Sequence, residues 1–130
     1  MSGRMLHLGV PLMDADHEHI DAMLDDCAAA SDAKLVASYA ALHAEVAAHF
    51  AREEELMRLG RTPVYACHLA QHRRILDDMD RPRDAAALRD YVRGPLAQDI
   101  AGHVASIDQL TARFLTGEID PSLAAQLKLA

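Results

Sequence analysis

The chain has 130 residues, of which 51% are hydrophobic and only 4% aromatic, and a net charge of −7. Strand-favouring aromatic and β-branched residues are scarce while 25 residues are Ala, which excludes an all-β fold, and the apolar fraction is too high for a disordered chain. The acidic balance and scattered Arg exclude nucleic-acid binding, and no apolar run approaches the roughly 18 residues of a membrane helix.

Residues 1–13 read as an irregular arm, with Gly9 and Pro11 as breakers. Asp14 or Asp16 then caps a first helix over about 14–30, with His17, Ile20, Met23, Leu24 and Cys27 at helical spacing. Ser31-Asp32 marks a break and a new N-cap. The second helix covers about 33–59, with Leu35, Tyr39, Leu42, Val46, His49, Phe50, Glu53 and Met57 as its inner stripe. Gly60 is its expected C-cap. Thr62 as N-cap and Pro63 as first helical residue open a third helix to about 79. It carries Tyr65, His68, Leu69, His72, Ile75, Leu76 and Met79. The fourth helix spans about 85–116, and Gly94-Pro95 predicts a kink or short break in it. A short C-terminal segment follows Pro121. Four amphipathic helices with short turns make one all-α domain over 1–130, an up-down-up-down antiparallel four-helix bundle.

Two cysteines, Cys27 and Cys67, do not make a disulfide framework. They are expected as reduced, buried or half-buried thiols. With no sustained apolar stretch near the N-terminus, no signal peptide is visible and a cytoplasmic location is expected.

Eight His in an acidic helical chain do not fit a plain bundle. His49 and Glu53 lie four apart on the second inner stripe, and His68 and His72 repeat that spacing on the third. His17 stands alone on the first helix. His103 and Asp108 are five apart on the fourth, roughly 140° around a straight helix, so the carboxylate must reach around or the helix must distort. Each element alone has an ordinary explanation as a core hydrogen bond or a surface pair. Together they bury five imidazoles and two carboxylates among Leu, Ile, Val, Met and Ala, at a cost of several kcal/mol. A metal centre satisfies them all at once, and seven ligands exceed the four of a single zinc. His7, His19 and His43 fall off the stripes and are expected at the surface.

These pieces resemble a hemerythrin of the single-domain bacterial kind. The matching runs are Asp14-Ala-Asp-His17 with Ile20, His49-Phe50-Ala-Arg-Glu53-Glu54-Glu-Leu-Met57, Tyr65-Ala-Cys-His68-Leu-Ala-Gln-His72, and His103-Val104-Ala-Ser-Ile-Asp108. The irregular gap from His103 to Asp108 belongs to that pattern. The resemblance implies two Fe ions. His68, His72 and His103 would hold one, and His17 and His49 the other, with one position left open. Glu53, Asp108 and a solvent-derived oxo or hydroxo group would bridge them. It further implies reversible O2 binding at the open iron, in a pocket lined by Ile20, Phe50, Ile100 and Val104. NO or small anions are further candidate ligands.

The family usually has a Trp four residues before the fourth-helix His, where this chain has Asp99. Asp99 either faces the site and wets the pocket or points to solvent. The implied function is an oxygen carrier, store or delivery module rather than an enzyme, acting as a monomer. The alternatives are an O2, NO or redox sensor, a peroxide or NO scavenger on the same irons, and metal storage without gas chemistry.

Overall fold

The computed structural model describes residues 4–120. It is an all-α bundle, and the described residues contain no strand. Its helices are α1 (Pro11–Ala29), α2 (Asp32–Gly60), α3 (Tyr65–Met79), α4 (Ala85–Tyr91), α5 (Ala97–His103) and α6 (Gln109–Leu115). Two π-helical turns, Val92–Leu96 and Val104–Asp108, join the last three helices into one continuous rod. The expected final segment after Pro121 lies outside the described residues.

Helical periodicity decides which side chains are buried. α1 buries Met13, His17, Ile20, Leu24 and Cys27, steps of three and four. α3 buries His68, His72, Ile75 and Met79 in the same rhythm. A large apolar cluster includes Ile20, Leu24, Leu35, Leu42, Val46, Phe50, Ile75, Leu96 and Val104. Each such fully buried side chain contributes about 1.5–3 kcal/mol. A smaller cluster of Val64, Ile107 and Phe114 lies further along the rods. On α3, His68 and His72 fall between Val64 of the smaller cluster and Ile75 of the larger one.

Several boundaries differ from the sequence reading. α1 begins at Pro11, not at Asp14, because a proline ring is already set for the first helical position. Neither Asp14 nor Asp16 caps it. Asp14 instead accepts from the backbone N–H of Leu8 and Gly9, at 2.7 and 2.9 Å, and so pins the arm. Gly60 is the last helical residue, and Arg61 takes the left-handed position, with φ 52°. A Cβ on Gly60 would lie 2.7 Å from the Leu115 side chain, so the glycine serves this close approach.

Thr62 and Pro63 belong to a turn, and α3 starts at Tyr65. The Thr62 hydroxyl caps nothing; its carbonyl accepts from Tyr65 N–H instead. Ser31 sits at the N-cap of α2 without a side-chain cap bond. At α4 the cap is realised: Asp84 accepts from Ala87 N–H at 2.8 Å. Arg89 and Arg93 both donate to the Ala28 carbonyl and close the C-terminal end of α1.

Gly94-Pro95 does not break the fourth rod. Pro95 sits inside the first π-turn. Proline lacks the N–H of the ladder and crowds the preceding turn, and a locally widened turn relieves both.

Candidate metal centre

The structure brings all seven sequence-predicted polar residues together in one buried layer. His17, His49, Glu53, His68, His72, His103 and Asp108 are each at most 4% exposed. α1 supplies His17, α2 supplies His49 and Glu53, and α3 supplies His68 and His72. His103 ends α5, and Asp108 ends the second π-turn. That turn answers the awkward five-residue spacing. A wider turn takes more residues per revolution, so His103 and Asp108 face the same way. Their Nε2 and Oδ1 atoms are 3.0 Å apart.

Each carboxylate divides its two oxygens between two sets of imidazoles. Glu53 Oε1 lies 3.1 Å from His72 and 3.4 Å from His68. Glu53 Oε2 lies 2.9 Å from His49 and 3.3 Å from His17. Asp108 Oδ1 meets His68 and His103 at 2.5 and 3.0 Å, and Oδ2 meets His17 at 3.1 Å. Two ligand groups result: Glu53, His68, His72, His103 and Asp108; and His17, His49, Glu53 and Asp108. Within each, one donor atom per residue lies within 4.8 Å of every other.

The donor set fits a bound cation. Three imidazole nitrogens crowd Asp108, yet neither of its oxygens has a hydrogen-bond partner of acceptable direction. His68 Nε2 and His103 Nε2 approach each other at 3.2 Å. Atoms aimed at shared points rather than at one another are what cations between them would organise. Imidazole, the majority donor here, suits Zn, Cu, Fe and Ni.

The outer ring nitrogens fix the direction of four imidazoles. His49 Nδ1 donates to Asp16 at 2.9 Å, and His72 Nδ1 donates to Glu54 at 2.8 Å. His103 Nδ1 donates to Gln71 Oε1 at 2.9 Å, and His68 Nδ1 donates to the Thr111 hydroxyl at 2.7 Å. Such partners hold the tautomer that turns the Nε2 lone pair inward. Asp16 is itself held by Arg52 Nε at 2.8 Å, and Arg52 also donates to Glu45. Sequence reasoning missed these four partners. Their one sequence hint is adjacency, since Asp16 precedes His17, Glu54 follows Glu53 and Gln71 precedes His72.

The protonation pattern of the bare site follows from burial against charge. Burial opposes the imidazolium of His17 and His68, but Asp108 and Glu53 outweigh it and raise both to about 9. His49 is raised as well, against burial, by Glu53 and Asp16. Burial wins at His103 and lowers it, despite Asp108. Burial would raise Glu53, but four imidazoles hold it well below the ordinary carboxylate range. Burial and Glu53 would raise Asp108, but His103, His17 and His68 lower it.

A nearly enclosed cavity of about 10 Å³ abuts the centre. Ile20, Phe50, Ile100 and Val104, the four residues expected there, wall it together with Val46. His17, His49, His103 and Asp108 close its inner side. Phe50 also stacks on His72, with centroids 3.8 Å apart and planes 4° from parallel. Asp99 is not part of the wall. It is half-buried on the outside of α5, 3.6 Å from Arg74. Of the two placements considered for Asp99, the structure has the outward one. Cys67 is exposed, contrary to the expected buried or half-buried thiol, because its helix turns that face outward between Tyr65 and His68. Cys27 is buried. His7 and His19 lie at the surface, while His43 is half-buried and bonds Asp80 at 2.7 Å.

An all-α bundle whose buried layer holds five imidazoles and two carboxylates in two overlapping groups is a metal-binding domain. The family model for the hemerythrin HHE cation binding domain matches residues 8–115, and the chain belongs to that family. Comparison with curated proteins and with solved structures gave no significant match. No helix among the described residues is long and apolar enough to cross a membrane.

Proposed function

We propose that the chain is a di-iron module that binds O2 reversibly, as a carrier, store or delivery protein. The observation that carries this reading is the division of each carboxylate between two imidazole sets, which suits two ions sharing two bridges. His68, His72 and His103 would hold one iron, His17 and His49 the other, with Glu53 and Asp108 spanning both. The metal pair, when bound by these residues, would supply the redox chemistry that holds O2. The chain's own residues supply the rest. Asp16, Glu54, Gln71 and Thr111 keep the outer protons on Nδ1, so that Nε2 faces the ions. Ile20, Val46, Phe50, Ile100 and Val104 give the small cavity beside the centre an apolar outer wall. A cavity of about 10 Å³ has room for a guest of about the size of one water, which supports a very small ligand at the centre over a larger substrate.

The helix order that builds this site is read as up-down-up-down. Short connections and the packing of α1 on α2, and α2 on α3, support it.

The test is the optical spectrum of the iron-loaded protein, reduced without air and then exposed to O2. Two irons per chain, and a visible charge-transfer band that appears with O2 and fades under vacuum, are expected. A band that forms but never reverses would replace the carrier reading with a sensor or scavenger. Failure to form any iron chromophore would refute the di-iron assignment.

A further inference from the structure

One ring contact at the centre is unlike the rest. Phe50 lies face to face on His72, with centroids 3.8 Å apart and planes 4° from parallel. The imidazoles meet one another at steeper angles: 76° for His17 and His49, 66° for His68 and His72, 62° for His68 and His103, and 51° for His72 and His103. Phe50 is itself tilted against the two other imidazoles it meets, by 47° at His49 and 56° at His103. Of the three imidazoles that Phe50 meets, only His72 has it as a flat neighbour.

A histidine ring turns about a broad, two-fold torsion, so its plane is set by what it touches. The hydrogen bond from Nδ1 to Glu54 fixes one atom of the His72 ring and leaves the ring free to tilt about that atom. A parallel ring at 3.8 Å blocks the tilt. Phe50 is a firm platform for this. It is 3% exposed, belongs to the main apolar cluster and walls the small cavity.

The stack also discriminates between a bound and a free imidazole. The face of a phenyl ring is negative. A cation on Nε2 draws electron density out of the imidazole, and an electron-poor ring is held more strongly over that face, as a cation is. An aliphatic side chain at position 50 would fill space, but it would neither fix a plane nor favour the bound state.

We propose that Phe50 is a positioning residue of the metal centre, whose ring holds the plane of His72 for the ion shared with His68 and His103. This rests on the two-ion reading above.

The test compares Phe50→Leu with the unaltered full chain. Leu keeps an apolar wall and removes the flat face. In a cobalt titration against a chelator, the step of the ion held by His68, His72 and His103 should weaken roughly 2- to 10-fold, while the other step holds. Leu42→Val, on the same helix and in the same apolar cluster, is the control for lost packing. It should lower stability to urea and leave both steps in place. In the zinc form, NMR should find the His72 ring protons shifted upfield by the Phe50 ring current, and Phe50→Leu should remove that shift. The spectrum of the unaltered chain tests the stack even where the variant does not fold. No upfield shift there, equal losses at both steps, no loss at either, or the same loss in Leu42→Val would overturn the role of Phe50 and leave the two-ion reading standing. Fewer than two ions per unaltered chain would overturn that reading and the role with it, so stoichiometry separates the two failures.

Discussion

Replacing Asp16 by Asn tests whether the outer hydrogen bonds set metal affinity. Asp16 Oδ2 accepts from His49 Nδ1 at 2.9 Å and from Arg52 Nε at 2.8 Å. Burial would raise the Asp16 carboxyl, but Arg52 and His49 hold it below its ordinary value, so the bond to His49 is charge-assisted. Such a bond contributes about 1.5–3 kcal/mol net, against about 1 for a neutral one. Asn keeps the size and loses the charge, a difference of about 1–2 kcal/mol, or roughly 5–30-fold in an equilibrium constant. The loss should fall on the ion held by His17 and His49. The ion held by His68, His72 and His103 should bind as before, because those rings rest on Thr111, Glu54 and Gln71.

The assay is a cobalt titration in competition with a chelator, which resolves two binding steps. Glu45→Gln is the control. It removes the far partner of Arg52 and leaves the bond from His49 to Asp16 intact. Urea unfolding of the metal-free protein should show a loss of at most about 1–2 kcal/mol in Asp16→Asn, because the same bond to His49 is present there. Equal losses at both steps, no loss at either, or the same loss in Glu45→Gln would refute the reasoning.

Three further outcomes are expected. His17 and His68 are raised to about 9 in the folded metal-free chain from 6.5, so their stabilisation is complete below about pH 6.5 and lost as pH rises through about 9. Urea unfolding of metal-free protein should therefore show stability falling across that window by on the order of a few kcal/mol, while metal affinity rises as protons leave the ligands. Ile20→Ala, at a site 1% exposed, should cost about 2–5 kcal/mol by urea titration and shorten the lifetime of the oxygenated form, because it enlarges the cavity beside the centre. Asp99→Trp should leave autoxidation no slower and stability within about 0.5 kcal/mol, because residue 99 faces Arg74 and solvent; a marked slowing would show that position 99 reaches the pocket.

Helical repetition made much of the molecule legible from its residues. The three-and-four spacing of His17, Ile20, Leu24 and Cys27 names the buried face of α1 without any partner in view, whereas Met13, read as part of the arm, is also buried there and Met23, placed on the stripe, is half-buried. The same rule put His49 with Glu53 and His68 with His72 on one side of their helices. These are local facts, because the backbone hydrogen bonds that make a helix close within four residues.

What crosses between helices was not legible. His49 meets Asp16, His103 meets Gln71 and His68 meets Thr111 across 33, 32 and 43 residues of chain. Only packing selects these partners. The helix ends also escaped, because tertiary contacts overrode local preference. Gly60 stays helical where Leu115 presses against it, and Arg61 takes the strained position instead. The five-residue gap from His103 to Asp108 announced a distortion, and the bundle resolved it as a π-turn. Asp99 carries the same lesson. Its letter permitted either a wet pocket or a solvent-facing carboxylate, and the rotation of α5 against α3 turned it toward Arg74. Sequence fixes which face of each helix is apolar, because that depends on spacing along one chain. Which polar atoms then meet in the buried layer depends on how four faces are rotated against one another, and only the packed structure decides that.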